Sequence, residues 1–396
     1  MKLEVEIVVL RSVTPQLPPD VRPDLGGKAK DVLRTFAVNQ ICADPRQIAD
    51  IRQEKDVKAA SMALPLKLYR PVSVHSSVTK DSYAWGIKAV GANQSFYSGL
   101  GATIAILDTG INIDHEAFAR IRENVVQADF TKEGDGDTNG HGTHCAGIAF
   151  GDKVAGCHIG VAPGISRALI GKVFGCQVAS TATLASAIDW AVKKGANIIS
   201  MSLGINYLAF VHRLVEKGYP MDLALSMTLQ AHQDTLDLFA AIAARTSLCG
   251  HPVVILSAAG NASRANENPQ FVFGLEPPAA AKGIISVAAL QSNGDGGYAV
   301  AHFSNGGARV AAPGVDVISA DAASTSGIIA MSGTSMATPH VAGIAALWYE
   351  CLSKSHSADL TTQLLTDRLI GSGSLANIPS ERIRDVGTGL VQAPFN

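Results

Sequence analysis

Four continuous apolar runs between residues 103 and 290 constrain the fold of this chain more than any other feature. They lack the alternation of a half-buried strand, so they predict strands that are covered on both faces, as in a parallel sheet. Apolar residues at helical spacing lie within 184–192 and 341–348. The pattern predicts a doubly wound, mostly parallel α/β sheet flanked by helices. The runs are TIAILD (103–108), ANIISMS (196–202), PVVILSAAG (252–260) and GIISVAAL (283–290).

Residues 1–75 are predicted to form a small α/β unit, and residues 76–396 a large domain. An alternating segment indicates a half-buried strand at the start of the small unit, and a strand-like segment ends it. Two segments of helix-like composition lie between these strands. In chain order the four segments are 3–10, 28–41, 45–55 and 60–69.

The bulk composition excludes several classes of protein. Of the 396 residues, 47% are hydrophobic and 17% are charged, which is typical of a folded globular chain. The formal net charge of −2 gives no electrostatic footprint for nucleic acid or an anionic membrane, so neither is expected as a partner. The N-terminus, MKLEVEIVVLRSVTP, lacks the uninterrupted apolar core of a secretory signal, so a cytoplasmic location is expected.

Asp108 ends the strand-like part of the run AILDTG (105–110), which allows three interpretations. An aspartic protease would use the carboxylate to activate water, whereas a serine protease would use it to hold a histidine. The third interpretation is a strand followed by a turn. An aspartic protease needs two such carboxylates, and the chain has no second Asp-Thr-Gly or Asp-Ser-Gly, so that interpretation would require a homodimer. The other two stay open on this run alone.

His141 lies in the run NGHGTHCAG (139–147), which leads into a helix-like segment. A histidine at a helix start can be held with its ring free. A capping or metal-binding role is the alternative, because His144 lies three residues later. The zincin pattern HExxH needs a four-residue spacing and a glutamate, and both are missing. An EF-hand loop starting at Asp135 also fails, because its twelfth position is Ala146.

Ser335 lies in the run SGTSMATPHVAG (332–343), just before a helical segment. A nucleophilic serine gains from this placement in two ways. Its hydroxyl is presented at a turn, and its backbone N–H lies near the positive end of a helix dipole, where a developing oxyanion is stabilised. Taken alone, Gly-Thr-Ser is typical of a helix cap.

The three runs together resemble the motifs of the subtilisin-like serine proteases, the subtilases. ILDTGI, HGTHCAG and GTSMATPHVAG match family motifs nearly letter for letter, in the family's order of Asp, His and Ser. The resemblance covers roughly residues 83–396, and it implies a subtilisin-like fold and serine endopeptidase activity. Further pieces in family order are GVAPG (160–164), ISMSLG (199–204), SAAGN (257–261), SVAAL (286–290), FSNGG (303–307), VAAPGVDV (310–317) and VGTGLVQA (386–393).

The resemblance implies a role for each of four polar residues. Asp108 would fix the tautomer of His141 and stabilise its imidazolium. His141 would take the proton from Ser335, which attacks the scissile carbonyl, and would later give it to the leaving amine. Asn261 would join the backbone N–H of Ser335 in the oxyanion hole. A turn asparagine after a strand is the alternative for Asn261.

By family position, a peptide or protein substrate would lie as an added strand against two edges of the large domain. Glu276 aligns with the floor of the pocket for the residue before the scissile bond, where a carboxylate would favour Lys or Arg. A slip of the alignment would leave Glu276 solvated instead, and both alternatives stay open. The two edges are Ser202, Leu203 and Gly204, and Ala258, Ala259 and Gly260.

The chain departs from the family in three regions. Calcium-binding positions of many subtilases are occupied by Ala117 and by the neighbourhood of Val154, so no metal and no cofactor are expected. Residues 1–75 resemble a subtilase propeptide in size, which implies a folding chaperone and intramolecular inhibitor, or else a unit that stays attached. As a propeptide, it would bring the connector at roughly 66–83 near Ser335, where the connector could be cut. Residues 205–250 exceed the usual connection and predict a helical insertion that either caps the substrate edge or adds packing.

A second class of function stays open beside the protease. A catalytically silent subtilase fold could bind or regulate other proteins. Such a protein usually lacks a member of the triad, and none is missing here, so an active protease is the leading hypothesis.

Overall fold

The computed structural model describes residues 4–12, 36–76, 82–177, 179–355 and 360–395. Its strands are β1 (Val5–Ser12), β2 (Phe36–Ala43), β3 (Val57–Met62), β4 (Leu66–Leu68), β5 (Ser73–Ser76), β6 (Thr103–Asp108), β7 (Val125–Asp129), β8 (Lys153–Val154), β9 (Cys157–His158), β10 (Arg167–Lys172), β11 (Ile198–Met201), β12 (Leu203–Ile205), β13 (Val254–Ala258), β14 (Ile285–Ser292), β15 (Tyr298–Val300), β16 (Val310–Pro313), β17 (Val317–Ala320) and β18 (Ile328–Ser332). Its helices are α1 (Ile48–Arg52), α2 (Trp85–Ala89), α3 (His141–Phe150), α4 (Thr181–Lys193), α5 (Tyr207–Glu216), α6 (Met221–Thr246), α7 (Thr334–Ser355) and α8 (Thr362–Gly371).

The large domain is built on one sheet with the strand order β15-β14-β13-β11-β6-β10-β7, and β16 also pairs with β14. The pairings are parallel except for that of β14 with β15. Alternate residues of β6 enter two separate cores on the two faces of the sheet. Ile106 belongs to the core that includes buried residues of α3 and α7, and Leu107 belongs to the core that includes buried residues of α4 and α6. The predicted doubly wound α/β fold is therefore confirmed, and the four apolar runs are β6, β11, β13 and β14.

The small N-terminal unit is an antiparallel sheet with the strand order β2-β1-β3. The helix expected over 28–41 is wrong from residue 36 onward, where the chain forms β2 in an unbroken ladder with β1. Residues 28–35 lie outside the described residues. Pairing along eight residues outweighs a weak local preference for helix. The strand expected over 60–69 is two strands, because Pro65 has no N–H for a ladder and β4 turns to a different partner.

The predicted insertion at 205–250 forms two helices, α5 and α6. Helix α6 packs against β3 of the N-terminal unit, and apolar residues of both belong to one buried cluster. Two polar contacts cross this interface between α6 and the N-terminal unit. Arg52 and Asp234 form an ion pair of 2.5 Å, and the Ser61 and Thr235 hydroxyls lie 3.1 Å apart. Within the described ranges, no helix has both the length and the apolar character needed to cross a membrane.

Candidate active site

Asp108 and His141 meet at the carboxyl edge of the sheet. Asp108 is the last residue of β6, and His141 is the first residue of α3. Gly140 precedes the helix with a φ of 94°, a left-handed conformation that lets the chain turn into α3 without strain. The His141 Nδ1 lies 2.8 Å from the Asp108 Oδ1, and both side chains are buried. The structure thus brings together two residues that the sequence motifs singled out.

The environment of His141 is set by burial and by its carboxylate partner. Burial disfavours the charged ring, but the charge and hydrogen bond of Asp108 outweigh it, so the pKa of His141 lies well above its usual value. Because Nδ1 is engaged by Asp108, the proton-accepting position is Nε2. This atom is buried and has no hydrogen-bond partner among the described residues. A buried ring nitrogen without a partner is typical of a site that waits for a reacting group.

Asp137 fixes the loop that leads into α3, a role that sequence reasoning missed. Its carboxylate accepts hydrogen bonds from Gly140 N (2.8 Å), Thr143 N (2.8 Å) and Thr143 Oγ1 (2.6 Å). It also accepts one from the Thr109 hydroxyl at 2.9 Å, which ties the loop to the segment after Asp108. A carboxylate at a helix N-terminus is favourable in itself. The pattern Asp-x-x-Gly-His was the signal available in the sequence.

Ser335 is the second residue of α7 and is fully buried. Its hydroxyl donates a hydrogen bond of 3.3 Å to the carbonyl oxygen of Tyr69, which lies just after β4. Among the described residues Ser335 makes no hydrogen bond to the His141 Nε2. Its own carbonyl accepts from the Ser202 hydroxyl at 3.2 Å, and the Cys145 thiol lies 3.4 Å from that same oxygen. The serine therefore faces a peptide carbonyl of its own chain.

The side-chain amide of Asn261 lies near the backbone N–H of Ser335. Its Oδ1 accepts from Thr334 N at 2.9 Å and from the Thr334 hydroxyl at 2.7 Å, which fixes the orientation of the amide. Its Nδ2 is buried and has no partner among the described residues. A Cβ built on Gly333 would lie 3.1 Å from that Nδ2 and 3.7 Å from Ser335 N. The free amide and the backbone N–H of the serine therefore border one space, as an oxyanion hole requires.

The first of the two predicted substrate edges carries an added strand. Leu203 to Ile205 in β12 pair antiparallel with β4, in the register Leu203↔Leu68 and Gly204↔Lys67. Ser202 lies just before the ladder, with its hydroxyl turned to Ser335. The second predicted edge, Ala258 to Gly260, forms no ladder with β4 in the described parts of the chain.

Glu276 lies against two side chains of the added strand. Its Oε2 accepts a hydrogen bond of 2.9 Å from the Tyr69 hydroxyl, and its Oε1 accepts one of 2.9 Å from the Lys67 Nζ. Burial, then the charge and hydrogen bond of Glu276, raise the pKa of Tyr69 well above its usual value, so its hydroxyl stays protonated and donates. A Cβ on Gly260 would lie 3.3 Å from the Tyr69 Oη. The carboxylate thus borders the pocket that holds Tyr69.

The chain continues past Ser335 on the other side. Val72 N donates 2.7 Å to the carbonyl of Ser332, and β5 then pairs antiparallel with β18. Residues 66–76 therefore cross the whole site as an extended segment. The propeptide resemblance of the N-terminal unit already implied that the connector at roughly 66–83 would pass near Ser335. Its register could not be predicted, because no local pattern shows which residues of a distant segment pair with β12 and β18.

One group of side chains has the composition of a metal site. Asp108, His141 and Cys145 place one possible ligand atom each within 4.8 Å of one another. The first two are already joined by their hydrogen bond, and burial raises the pKa of the Cys145 thiol and disfavours its thiolate. The geometry therefore fits an oriented histidine better than a metal centre.

Several known proteases are similar to this chain. It is 33% identical over 291 residues to subtilisin-like protease 2 of Pseudogymnoascus destructans, an alignment that covers 69% of this chain and 60% of that protein. It is 30% identical over 315 residues to a thermostable alkaline protease of Halalkalibacterium halodurans, with 78% and 72% covered. The chain spans 60% and 64% of the length of two subtilisin-like proteases of Pseudogymnoascus destructans.

A solved structure has the same fold. The crystal structure of a cold-adapted subtilisin-like serine proteinase aligns with a TM-score of 0.55 and 26% sequence identity. The alignment covers 80% of this chain and 100% of that one. The agreement confirms the fold expected from the motifs.

These relatives correct one expectation. A cytoplasmic location is wrong when judged against them, because they are secreted subtilases. One of them, from Arthrobotrys oligospora, is named for degrading cuticle. The expectation depended on the absence of a single pattern in the first 15 residues, which is a weak guide to location.

The sequence profile of the subtilase family matches residues 99–373, well over half of the chain. The matched region contains β6, α3 and the start of α7, the elements that carry Asp108, His141 and Ser335. The chain therefore belongs to the subtilase family of serine endopeptidases.

Proposed function

We propose that this chain is a serine endopeptidase that hydrolyses peptide bonds with Asp108, His141 and Ser335. The observation that carries the proposal is the buried 2.8 Å pair of Asp108 and His141, together with a serine whose hydroxyl lies 3.3 Å from a peptide carbonyl oxygen. The Cys145 thiol lies 3.8 Å from the His141 Nδ1 and 3.4 Å from the Ser335 carbonyl oxygen, so the pair and the serine share one neighbour. In that reaction the Ser335 oxygen attacks the carbonyl carbon while its proton passes to the His141 Nε2. The imidazolium then gives this proton to the leaving amine, and water hydrolyses the acyl-enzyme.

Asn261 has the role of an oxyanion donor in this proposal. Its Nδ2 and the backbone N–H of Ser335 would bind the carbonyl oxygen as it becomes negatively charged. The unpartnered state of Nδ2 supports this role, because a buried amide without a partner costs about 1–3 kcal/mol. Such a cost is expected where the partner forms only during the reaction.

The N-terminal unit is proposed as an intramolecular inhibitor that occupies the cleft like a substrate. Its extended segment adds a strand to β12 and brings the Tyr69 carbonyl to Ser335. The bond between Tyr69 and Arg70 is therefore the one we expect the enzyme to cleave in its own chain. A folding role for residues 1–75 is consistent with the cluster that they share with α4 and α6.

The preference for Lys or Arg before the scissile bond remains a prediction. Glu276 offers its carboxylate at the pocket that holds Tyr69, and an ammonium or guanidinium group there would meet an opposite charge. Peptides with Lys or Arg at this position are expected to be cleaved faster than peptides with Phe or Leu. Equal rates for both sets would contradict the prediction.

Labelling with a fluorophosphonate tests the proposed activity. The reagent reacts only with an activated serine, so wild type should be labelled at Ser335 and the Ser335→Ala variant should not. Mass spectrometry of the same two proteins should find the fragment that ends at Tyr69 in the wild type alone. A wild type that stays unlabelled after the N-terminal unit is removed would favour the silent, regulatory alternative.

A further inference from the structure

The strand in the cleft presents two of its side chains to one enzyme residue. Successive side chains of a strand point to opposite faces, so Lys67 and Tyr69 share one face. Leu66 and Leu68 belong to the other face. The shared face is turned to Glu276, which comes from the connection between β13 and β14 of the large domain. The recognition therefore depends on the enzyme and not on the N-terminal unit alone.

The contacts of Glu276 are those of a double acceptor. The Lys67 Nζ lies 2.8 Å from Oε2 and 2.9 Å from Oε1, and the Tyr69 hydroxyl donates to Oε2 at 2.9 Å. The same ammonium lies 5.6 Å from the centre of the Tyr69 ring, within reach of a cation–π contact. An ionised carboxylate accepts hydrogen bonds and donates none, so it needs donors from whatever fills the cleft.

The walls of the pocket fit an aromatic side chain that ends in a hydroxyl. A Cβ on Gly204 would overlap the Tyr69 hydroxyl, and it would lie 2.8 Å from the Glu276 Oε2. The absence of a side chain at this position therefore leaves the room that the ring and its hydroxyl fill. A phenylalanine would fill the same volume but would leave the carboxylate without one of its donors.

We infer that Glu276 binds two substrate side chains at once. Besides Lys or Arg, the pocket before the scissile bond accepts tyrosine, and the enzyme cleaves peptides of the form Lys-X-Tyr after the tyrosine in preference to the same peptides with phenylalanine. The inference rests on the proposed endopeptidase function and names its substrate class. The basic residue lies two positions before the tyrosine, so the charge of Glu276 is used at that position as well as in the pocket itself. Arginine should replace the lysine, because it also donates to a carboxylate.

A double-mutant cycle in the full chain tests this inference through the labelling rate of Ser335. The fluorophosphonate enters only when the strand leaves the cleft, so weaker anchoring means faster labelling. Tyr69→Phe should raise the rate about 10-fold and Lys67→Gln about 3-fold, as expected for hydrogen bonds to a charged group that is partly exposed. In a Glu276→Gln background the same changes should alter the rate less than about 2-fold. Glu267→Gln, an exposed glutamate in the same connection, is the matched control and should behave as wild type.

Peptide cleavage gives a second readout. The peptide LPLKLYRP, which is the sequence of residues 64–71, should have a kcat/KM about 10-fold or more above that of its Tyr69→Phe form. It should exceed its Lys67→Gln form about 3-fold. Both ratios should shrink towards one with the Glu276→Gln enzyme.

The possible outcomes distinguish a failure of this inference from a failure of the proposed endopeptidase function. One such outcome is that the Lys67→Gln and Tyr69→Phe changes alter the labelling rate by the same factor in the wild-type and the Glu276→Gln backgrounds. That result would overturn the inference and leave the protease proposal intact. An enzyme that is labelled at Ser335 but cleaves all the peptides at equal rates, or none of them, would overturn it too. A chain that is labelled in no variant would remove the endopeptidase proposal, and the inference with it.

Discussion

At the scale of single residues, the candidate site is defined by atoms without partners. The His141 Nε2 and the Asn261 Nδ2 are both buried and have no hydrogen-bond partner among the described residues. Folding alone would not favour either group in this state. This state is explained if a reacting peptide supplies the missing partners.

The pH dependence of activity follows from the pKa of His141. In the proposed mechanism the neutral ring is the base. Asp108 raises the pKa of His141, so below this raised value the ring would be protonated and inactive. We therefore expect kcat/KM to rise with pH and to level off on the alkaline side of 6.5. A profile of kcat/KM against pH checks this expectation, and a plateau reached already below pH 6.5 would contradict it. Asp108→Asn should lower the pKa and cost about 10⁴-fold in kcat.

Replacing Asn261 by alanine should slow turnover without weakening substrate binding. The amide has no ground-state partner, so its loss should lower kcat about 10²–10³-fold, the range known for removing this kind of donor in subtilisin. Steady-state kinetics separate the two parameters. A variant with an unchanged kcat and a raised KM would assign the amide to substrate binding instead.

At the scale of elements, the insertion is the feature that sets this chain apart from the family pattern. Helix α6 contacts β3 of the N-terminal unit, and its buried Asp234 pairs with Arg52 of α1. The Asp234 side chain is 4% exposed, so its charge depends on that partner and on the Gln230 amide at 2.9 Å. The insertion thus adds a second attachment, remote from the cleft, for the unit that fills the cleft.

Breaking this ion pair should loosen the N-terminal unit. Arg52→Ala leaves a buried carboxylate with fewer donors, which costs about 1–3 kcal/mol and should speed fluorophosphonate labelling of Ser335. Arg46→Ala is the matched control, because Arg46 is exposed and pairs with Asp44 inside the same unit. Equal labelling rates for the two variants would show that the interface with α6 does not restrain the N-terminal unit.

The large domain could be predicted from its sequence because its strands are buried on both faces and carry unbroken apolar runs. Asp108, His141 and Ser335 could be singled out from the sequence because each lies in a local motif. The strand β2 could not be predicted, because it depends on pairing with β1. The passage of the connector near Ser335 followed from the propeptide resemblance, but its register with β12 and β18 could not be predicted, because it depends on pairing with distant segments. The hydrogen bond between Tyr69 and Glu276 could not be predicted for the same reason, because the two residues lie more than 200 positions apart in the sequence.

At the scale of the whole molecule, buried neutral histidines couple folding to pH. Burial lowers the pKa of His144 to about 3 and that of His340 to about 4, from an ordinary 6.5. Below pH 6.5 the unfolded chain binds protons that the folded chain cannot, so stability falls as the pH drops from 6.5 towards these values. Each histidine contributes a slope of about 1.4 kcal/mol per pH unit at most.

Urea unfolding of the Ser335→Ala variant, which cannot digest itself, checks this expectation. The free energy of unfolding should fall between pH 6.5 and 5, and adding His144→Asn should flatten the fall. His212→Gln, at an exposed position, should leave the slope unchanged. Identical slopes in all three proteins would assign the acid sensitivity to other groups.

The segment that fills the cleft also determines how the enzyme would become active. The chain is paired with β12 before Tyr69 and with β18 after Val72, so a single cut at Ser335 would leave both new ends in place. The enzyme would then remain inhibited after the cut. Activation would proceed in two stages, cleavage of the peptide bond and then the slower dissociation of each new end from its strand. A delay between the appearance of the cleaved chain and the onset of hydrolysis of added peptides would be its kinetic signature.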